Sequence, residues 1–544
     1  MTDIPTEQIS EHTMNYTIIN LTRFGDLLQT ACTISALKKS GSHKISLICL
    51  HQFRDVTQFI PHLDHIFDFS GANHLNNLHI GDFAHWVDSY QEMKEWVKAY
   101  HQEFQTDCII NLTPTVKTRL LAKLLSQQNK NIQEIGFCVN DFGYIYNTNV
   151  WTSYTQAVTQ FRGGSPYNLI DEFRSMLGLA PEQYQLNKPE KKSCLQTKQL
   201  LNIFSATLPE CKGFVGFQLG ASNAVRQWDI NNFAELAKLI WERKKYVAVL
   251  LGSKQEQSLA ESFSQKIAPY IPYYDYCGKS NLQELGAMLC NLQALVSNDT
   301  GTLHLATGLH VPVIGIYLAT AQVWDTGPYG EKQLCLEPNI ACHPCNFNVT
   351  CQNNYQCQKQ ISAEAVYSAL CYRLGDKTIH FRGETTARIW EGFFQKDGFI
   401  NYKPLHTEED IRAVWMQCQR AFYKNLLNTL QKSEQSSYAE LAVNTETLLP
   451  AKQEIEKLQA FILLAREQAV LFSKFPEQKT QEKFLASTQR VKIFLRQSKF
   501  FIPLSLLFEQ LLQDSAQSME EIIHFFDTLK EELTQFAHFL CSKE

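Results

Sequence analysis

Short apolar, β-rich runs alternate with helix-period segments from Tyr16 to about Leu374. That alternation marks βα units wound around parallel sheets. Tyr16 to Asn20 reads as a strand, a helix follows from about Asp26 to Lys39, and Lys44 to Leu50 reads as the next strand. Thr106 to Asn111 and a helix over Lys117 to Ser126 continue the series. The pattern restarts at Gly213 to Gln218. It runs on through a helix at Phe233 to Glu242 and strands at Tyr246 to Gly252, Ala294 to Ser297 and Val311 to Tyr317. Two Rossmann-like halves are expected, at 14–186 and 212–375, joined by the polar, Lys-rich stretch Asn187 to Cys211. Ligands of open α/β sheets bind at the carboxyl ends of the strands, so the residues just after each strand are where chemistry is sought.

Beyond a strand-and-turn connector at 376–404 the pattern changes. All 24 glycines lie before residue 401, and the later prolines stand at 404, 450, 476 and 503. Loss of glycine with widely spaced prolines predicts helices separated by sharp stops, an all-α bundle over 405–544. Ile455, Leu458, Ile462, Ala465, Ala469 and Phe472 keep helical spacing. A last helix opens on the capping-box pattern Ser518 to Glu521 and carries Ile522, Phe526, Leu529, Leu533, Phe536 and Leu540 on one face. These stripes read as core packing, with a protein-partner, oligomer or membrane-facing groove as the alternative.

Composition excludes more than it selects. At 544 residues the chain needs two to four domains, and 44% hydrophobic with 19% charged residues is an ordinary globular balance. A net charge of −5 without a long basic run argues against nucleic acid as a partner. Met1 to Thr13 is polar and acidic, unlike a secretory signal, and no apolar run approaches the roughly 20 residues of a spanning helix. A cytoplasmic location is expected, with any contact to the inner membrane peripheral.

Three constellations lie at strand ends. Arg23-Phe24-Gly25-Asp26 turns from strand to helix. Asp26 there is either a carboxylate favoured by the helix dipole or a general base aimed into a cleft. Gly220-Ala221-Ser222-Asn223-Ala224-Val225-Arg226 is a small-residue loop whose N–H groups and Arg226 suit an anion. Asn298-Asp299-Thr300-Gly301-Thr302-Leu303-His304 runs into a helix start that offers free N–H groups to a diphosphate, with His304 one turn in. Each has a bland reading taken alone: a helix-terminus carboxylate, a solvated arginine, a core histidine.

Together, and in this order, Arg23 to Asp26, the loop ending Arg226-Gln227-Trp228, and Asn298-Asp299-Thr300-Gly301 with His304 resemble the landmarks of glycosyltransferase family 9. These are bacterial ADP-heptose:lipopolysaccharide heptosyltransferases, and the resemblance spans roughly residues 14 to 372. It implies an inverting GT-B enzyme, α/β with two Rossmann-like domains, here followed by the helical bundle. By that resemblance Asp26 is the catalytic base and Ser222, Arg226, Asp299, Thr300, Gly301 and His304 form the donor pocket, with Glu256 at the nucleotide ribose. The donor is then a nucleotide-diphosphate heptose, expected to be ADP-heptose, and the acceptor a lipopolysaccharide core or related glycan or glycolipid. Two positions depart from the family: Ala221 where a hydroxyl residue is common, and Arg226 where lysine is, which alters donor geometry while keeping the charge. With Arg226 and a helix N-terminus to meet phosphate charge, no catalytic divalent metal is required.

Twelve of the sixteen cysteines are scattered, and the other four are Cys342, Cys345, Cys351 and Cys357. Four thiols within sixteen residues match a metal-ligand count, for zinc or iron, the alternative being a thiol-rich loop with partial disulfides or none. Some family 9 enzymes carry a Cys-x-x-Cys loop at this place, and the related autotransporter heptosyltransferases bind iron through cysteines. The resemblance therefore also keeps open a protein acceptor. A non-catalytic sugar-nucleotide-binding scaffold is the reading from a different class.

Overall fold

The computed structural model describes residues 13–71, 83–160, 164–347, 349–381, 383, 386–431, 438, 448–498, 500–514 and 518–541. The polar N-terminal stretch lies, except for its last residue, outside them. Two compact units emerge, 1–145 with 168–407 and 146–167 with 408–544.

The first unit holds two sheets. In chain order the strands of the first are β1 (Asn15–Ile19), β2 (Lys44–Leu50), β3 (His65–Phe69), β4 (Cys108–Asn111), β5 (Gln133–Val139) and β6 (Ile145–Asn147). They stand in the order β3-β2-β1-β4-β5-β6. The second sheet holds β7 (Gly213–Gln218), β8 (Tyr246–Leu251), β9 (Tyr273–Asp275), β10 (Ala294–Asn298), β11 (Val313–Ile316), β12 (Leu334–Pro338), β13 (Ala387–Phe394) and β14 (Ile400–Pro404). Its order is β14-β13-β12-β11-β10-β7-β8-β9. Pairing is parallel from β9 through β12, and β13 and β14 add antiparallel strands to that edge. The connector expected at 376–404 therefore completes the second sheet beyond residue 375. β7, β8, β10 and β11 are mostly apolar, and all but the first residues of β7 and β8 are buried, as in strands covered on both faces. The fold is the GT-B arrangement of two α/β sheets.

Strand order reverses between β1 and β4 in the first sheet and between β7 and β10 in the second. Crevices open at such switch points, and the first and third motifs follow β1 and β10 while the second follows β7. In the first sheet the crevice is stitched by the Leu21 N–H, which donates to Thr113 Oγ1 at 3.2 Å.

The helix Phe24–Ser40 is buried on nearly every side from Leu27 to Leu37, including Gln29, Thr30, Thr33 and Ser35. It packs against the helices Gly301–Gly308 and Leu169–Met176, so it is a central strut between the halves. The stretch read as a polar linker is largely a helix, Lys191–Ala206. It buries Ser193, Thr197 and Leu201 at four-residue spacing and ties in through Asn291 Nδ2, which donates to Thr197 Oγ1 at 3.1 Å.

The second unit is helical, as the glycine-free composition predicts: Ile411–Leu430, Leu449–Lys474, Gln478–Gln497, Ile502–Asp514 and Met519–Cys541. Pro450 stands in the first turn of its helix, where no N–H is missed. The Glu521 N–H donates to Ser518 Oγ at 3.2 Å, the first half of the expected capping box, and the stripe from Ile522 to Leu540 is buried. A helix from earlier in the chain, Val150–Gln160, joins this unit by packing on Ile502–Asp514, with Tyr154 and Tyr423 rings 5.4 Å apart. By sequence the segment is expected in the 14–186 half, whereas it clusters with the helical unit. Ring contacts across more than 250 residues leave no trace in local periodicity. Among the described residues no helix is long and apolar enough to cross a membrane.

Candidate functional site

Gly25 and Gly301 explain how the halves meet. A Cβ on Gly25 would lie 2.9 Å from His304 Cδ2 and 3.3 Å from the Gly301 Cα, and one on Gly301 would lie 2.3 Å from Phe24 Cδ1. Real Cβ atoms do not approach that closely, so glycine is required on both sides by sterics. The first turn of the helix Phe24–Ser40 is thereby set against the first turn of Gly301–Gly308.

Asp26 is the third residue of its helix and half-buried, and its backbone carbonyl accepts from Asn20 Nδ2 at 3.3 Å. A carboxylate in a helix's first turn is favoured by the dipole. Across from it, His304 is buried and its neighbour Gln29 places Nε2 3.2 Å from Nδ1 and 3.3 Å from Nε2 of the imidazole. Burial lowers the His304 pKa below its ordinary value, opposed by the nearby charges of Asp299 and Asp26, so the ring is neutral near pH 7. Tyr184 donates its hydroxyl to the His304 carbonyl at 3.2 Å, fixing the turn that carries the ring.

In the second sheet, Asn298 at the end of β10 is the clamp. Its Nδ2 donates to the carbonyls of Leu219 and Gly220 at 2.9 and 3.1 Å, and its Oδ1 accepts from the Trp228 N–H at 2.9 Å. Both ends of the 219–228 loop are held by one buried amide. Within the loop Arg226 donates through Nη2 to Asp299 Oδ2 and through Nη1 to Ser222 Oγ at 3.4 Å, and Thr326 Oγ1 donates to the same Asp299 oxygen at 3.3 Å. Asp299 thus orients the guanidinium, whose Nε is buried with no partner. Thr300 precedes the Gly301 helix without capping it through its side chain, which instead meets Ser297 Oγ at 3.0 Å; the Leu303 N–H turns back to the Thr300 carbonyl at 3.1 Å, and no side-chain cap takes up the N–H groups before it.

Glu256 is partly committed elsewhere. Its Oε2 accepts from the Ser253 N–H at 2.6 Å and from Ser253 Oγ at 2.9 Å, closing a capping box, while Oε1 lies toward Gln218 Nε2 at 3.5 Å. A Cβ on Gly220 would fall 1.4 Å from that Oε1, so Gly220 is the residue that lets Glu256 reach the loop.

The structure brings Gly301 and His304 against the turn that carries Asp26, joins Arg226 to Ser222 and Asp299 just before Thr300, and sets Glu256 against the same loop at Gly220. Sequence reasoning missed Gln29 and the clamping role of Asn298. A glutamine in an otherwise apolar and small-residue helix turn is the signal that was there to find. The four clustered cysteines are arranged differently from the metal expectation: among the described residues no group of three or more His, Cys, Asp or Glu is placed to hold a metal ion. Cys342 is exposed and accepts from Asn353 Nδ2 at 3.1 Å, Cys351 accepts from the Tyr355 N–H at 3.3 Å, and Cys357 is buried.

Two α/β sheets whose strand-end helices meet at the Gly25–Gly301 contact give the GT-B class of fold, and comparison with known proteins agrees with that class. Residues 167–356 match the family model of glycosyltransferase family 9 (heptosyltransferase). Lipooligosaccharide heptosyltransferase 2 of Haemophilus influenzae is 28% identical over 121 residues, 22% of this chain and 34% of its own length. Lipopolysaccharide heptosyltransferase 1 of Campylobacter coli is 23% identical over 318 residues, 56% of this chain and 84% of the relative. A glycosyl transferase family 9 crystal structure from Veillonella parvula shares the fold, with a TM-score of 0.50 at 17% identity, covering 68% of this chain and 99% of that one. This chain spans a third to a half of the length of the first four curated relatives it matches.

Proposed function

We propose that the protein is an inverting heptosyltransferase, moving a heptose from a nucleotide-diphosphate donor, ADP-heptose, to a lipopolysaccharide core or related glycan. The observation that carries this is the glycine contact. It sets the helix turn of one half that carries Asp26 against the start of the helix Gly301–Gly308 from the other, and the residue just before that helix's N-cap, Asp299, holds the Arg226 guanidinium. In the reaction the acceptor hydroxyl attacks the anomeric carbon and gives its proton to Asp26. The bond from that carbon to the diphosphate breaks, and the electron pair leaves on a phosphate oxygen. Arg226 and the N–H groups at Thr300 to Thr302 meet the developing charge in place of a divalent cation. Ser222 and Asp299 steer Arg226, and the oxygen of Glu256 near Gly220 suits a ribose hydroxyl. Neutral His304 suits a sugar or phosphate hydrogen bond.

The acceptor half supports a glycolipid. Phe142 and Tyr144, at the carboxyl end of β5, are 85% and 72% exposed, and Val116 and Leu120, in the helix after β4, are 60% and 53% exposed. Lys123 pairs with Asp141 at 2.8 Å and holds this rim together. All lie at the edge of the sheet that also bears Asp26, where an acceptor's apolar anchor or the inner membrane surface would sit, on the cytoplasmic side. Replacing Phe142 and Tyr144 by serine should raise KM for a lipid-anchored acceptor by roughly tenfold for each ring, the scale of one buried aromatic. KM for the deacylated acceptor should stay put. Equal losses on the two acceptors would remove the rim from acceptor binding.

The overall reading is tested by mass spectrometry of purified protein incubated with a panel of nucleotide sugars, with and without a core-oligosaccharide acceptor. A heptose added to the oligosaccharide only in the ADP-heptose arm is expected. Heptose on an added protein acceptor would move the assignment to the autotransporter type, and ADP binding without any transfer would leave a binding scaffold.

A further inference from the structure

The segment Cys342 to Cys357 is not an isolated surface loop. The Cys345 N–H donates to the Ala319 carbonyl at 2.8 Å, just past β11. Immediately after Cys357, Gln358 donates through Nε2 to the Ala224 carbonyl at 2.8 Å and to the Gln227 carbonyl at 3.1 Å. Three residues on, the Ile361 carbonyl accepts from Trp228 Nε1 at 2.8 Å and from Asn232 Nδ2 at 3.3 Å. The cysteine loop is thus pinned at both ends to the elements that carry the donor pocket.

The Gln358 contacts fall where the pocket is least able to hold itself. Arg226 rides on a single 3-10 turn, Ala224–Arg226, with no buried residue of its own. Its internal support is the Asn223 side chain accepting from the Val225 N–H at 3.1 Å, the Arg226 N–H donating to the Asn223 carbonyl at 2.9 Å and the Gln227 N–H donating to the Ala224 carbonyl at 3.1 Å. So short a turn has poor hydrogen-bond geometry and little cooperativity. Gln358 spans it, binding the carbonyl before Arg226 by two residues and the one just after it. Asn298 anchors the loop at Leu219, Gly220 and Trp228, outside the turn. Between those anchors, Gln358 is the side chain that fixes the arginine's backbone from outside the loop.

We infer that Gln358 is a positioning residue for Arg226, and that the cysteine loop serves as the strut presenting it, so that the loop sets affinity for the diphosphate of the donor. This rests on the reading of Arg226 as the diphosphate cation. A guanidinium bound to Asp299 must be held in place to meet two phosphates at once, because bidentate recognition depends on the fork's direction. If the backbone turn drifts, the charge remains but the fork misses.

Calorimetric binding of ADP and of adenosine tests this on the full chain carrying Gln358→Leu, Gln358→Glu, Arg226→Ala or Arg226→Ala with Gln358→Leu. Both Gln358 variants lose the two donated bonds, and the glutamate keeps the shape and a polar group should the leucine fail to fold. ADP affinity is expected to fall about five- to tenfold in each, the effect of one to two neutral hydrogen bonds, with adenosine affinity unchanged. In the Arg226→Ala background the Gln358 change should have no further effect on ADP. Equal losses for ADP and adenosine, or additive losses in the double variant, would show a general structural role and overturn the inference. A drop in ADP affinity for Arg226→Ala with none for the Gln358 variants would overturn it alone. Unchanged ADP affinity in Arg226→Ala would overturn the diphosphate reading and the inference with it.

Discussion

Asp26→Asn is expected to lower kcat by about 10²–10⁴-fold, the contribution of a positioned general base. Inverting transfer requires the acceptor hydroxyl to shed its proton as it attacks, and Asp26 is the carboxylate in the first turn of the helix that follows β1. Asparagine keeps the size and the first-turn position but takes no proton. Folding should survive, because the residue is half-buried at a helix terminus and its described hydrogen bond comes from its backbone carbonyl. ADP binding should hardly change, since Arg226 and the start of the helix Gly301–Gly308 belong to the other half. Turnover and calorimetric ADP binding on both proteins make the measurement. Full turnover in the variant would remove Asp26 as base, and loss of binding together with turnover would make its role one of holding the glycine contact.

How much of this could be read in the chain depends on the range of the forces involved. Strands such as Lys44–Leu50 and Gly213–Gln218 emerge at their expected limits because a doubly covered strand reads as a nearly continuous apolar run, Ile45 to Leu50 and Phe214 to Phe217 here. The helix Phe24–Ser40 begins two residues before the expected Asp26, because no hydroxyl or carboxylate cap marks its start: Arg23 is the cap position and makes no side-chain cap. The helix Lys191–Ala206 hid inside a polar stretch because two of its three buried residues are Ser193 and Thr197. The site motifs were legible, since the chemistry needs Gly, Asp, Arg and His in fixed local order. What joins them was not. Gln29 on His304, Asn298 on the 219–228 loop and Gln358 on the Arg226 turn act across 70 to 275 residues, where local spacing carries no signal. Gly301 illustrates both sides: its place before a helix was visible, whereas the Phe24 ring that forbids any larger residue there was not.

The largest effect on stability is expected from Asp171, which joins the helix Leu169–Met176 to the β13–β14 edge of the second sheet. Its Oδ1 accepts from the Tyr329 hydroxyl at 2.7 Å and from Arg174 Nη2 at 3.3 Å, and its Oδ2 accepts from the Ile400 N–H at 3.1 Å. Asp171 and Arg174 are both buried, and the guanidinium lies 4.3 Å from the centroid of the Phe399 ring. The helix itself packs on Phe24–Ser40, so this carboxylate ties that central strut to the far edge of the second sheet. Asp171→Ala removes the counter-charge of a cation that has no route to water and takes an acceptor from a buried phenol and a backbone N–H. Breaking a buried pair from one side costs about 3–5 kcal/mol, far more than the pair contributes when both partners are replaced together. The single variant should therefore unfold at clearly lower denaturant. Adding Arg174→Met should recover part of the loss, because the uncompensated charge is gone and the thioether can still pack on Phe399. Denaturant midpoints of the wild type, Asp171→Ala, Arg174→Met and the double variant decide the matter. A double variant less stable than Asp171→Ala would mean that Arg174 stabilises the fold through its own packing rather than through this pair, and a single-variant cost below about 1 kcal/mol, the scale of a surface pair, would mean that the carboxylate ties nothing.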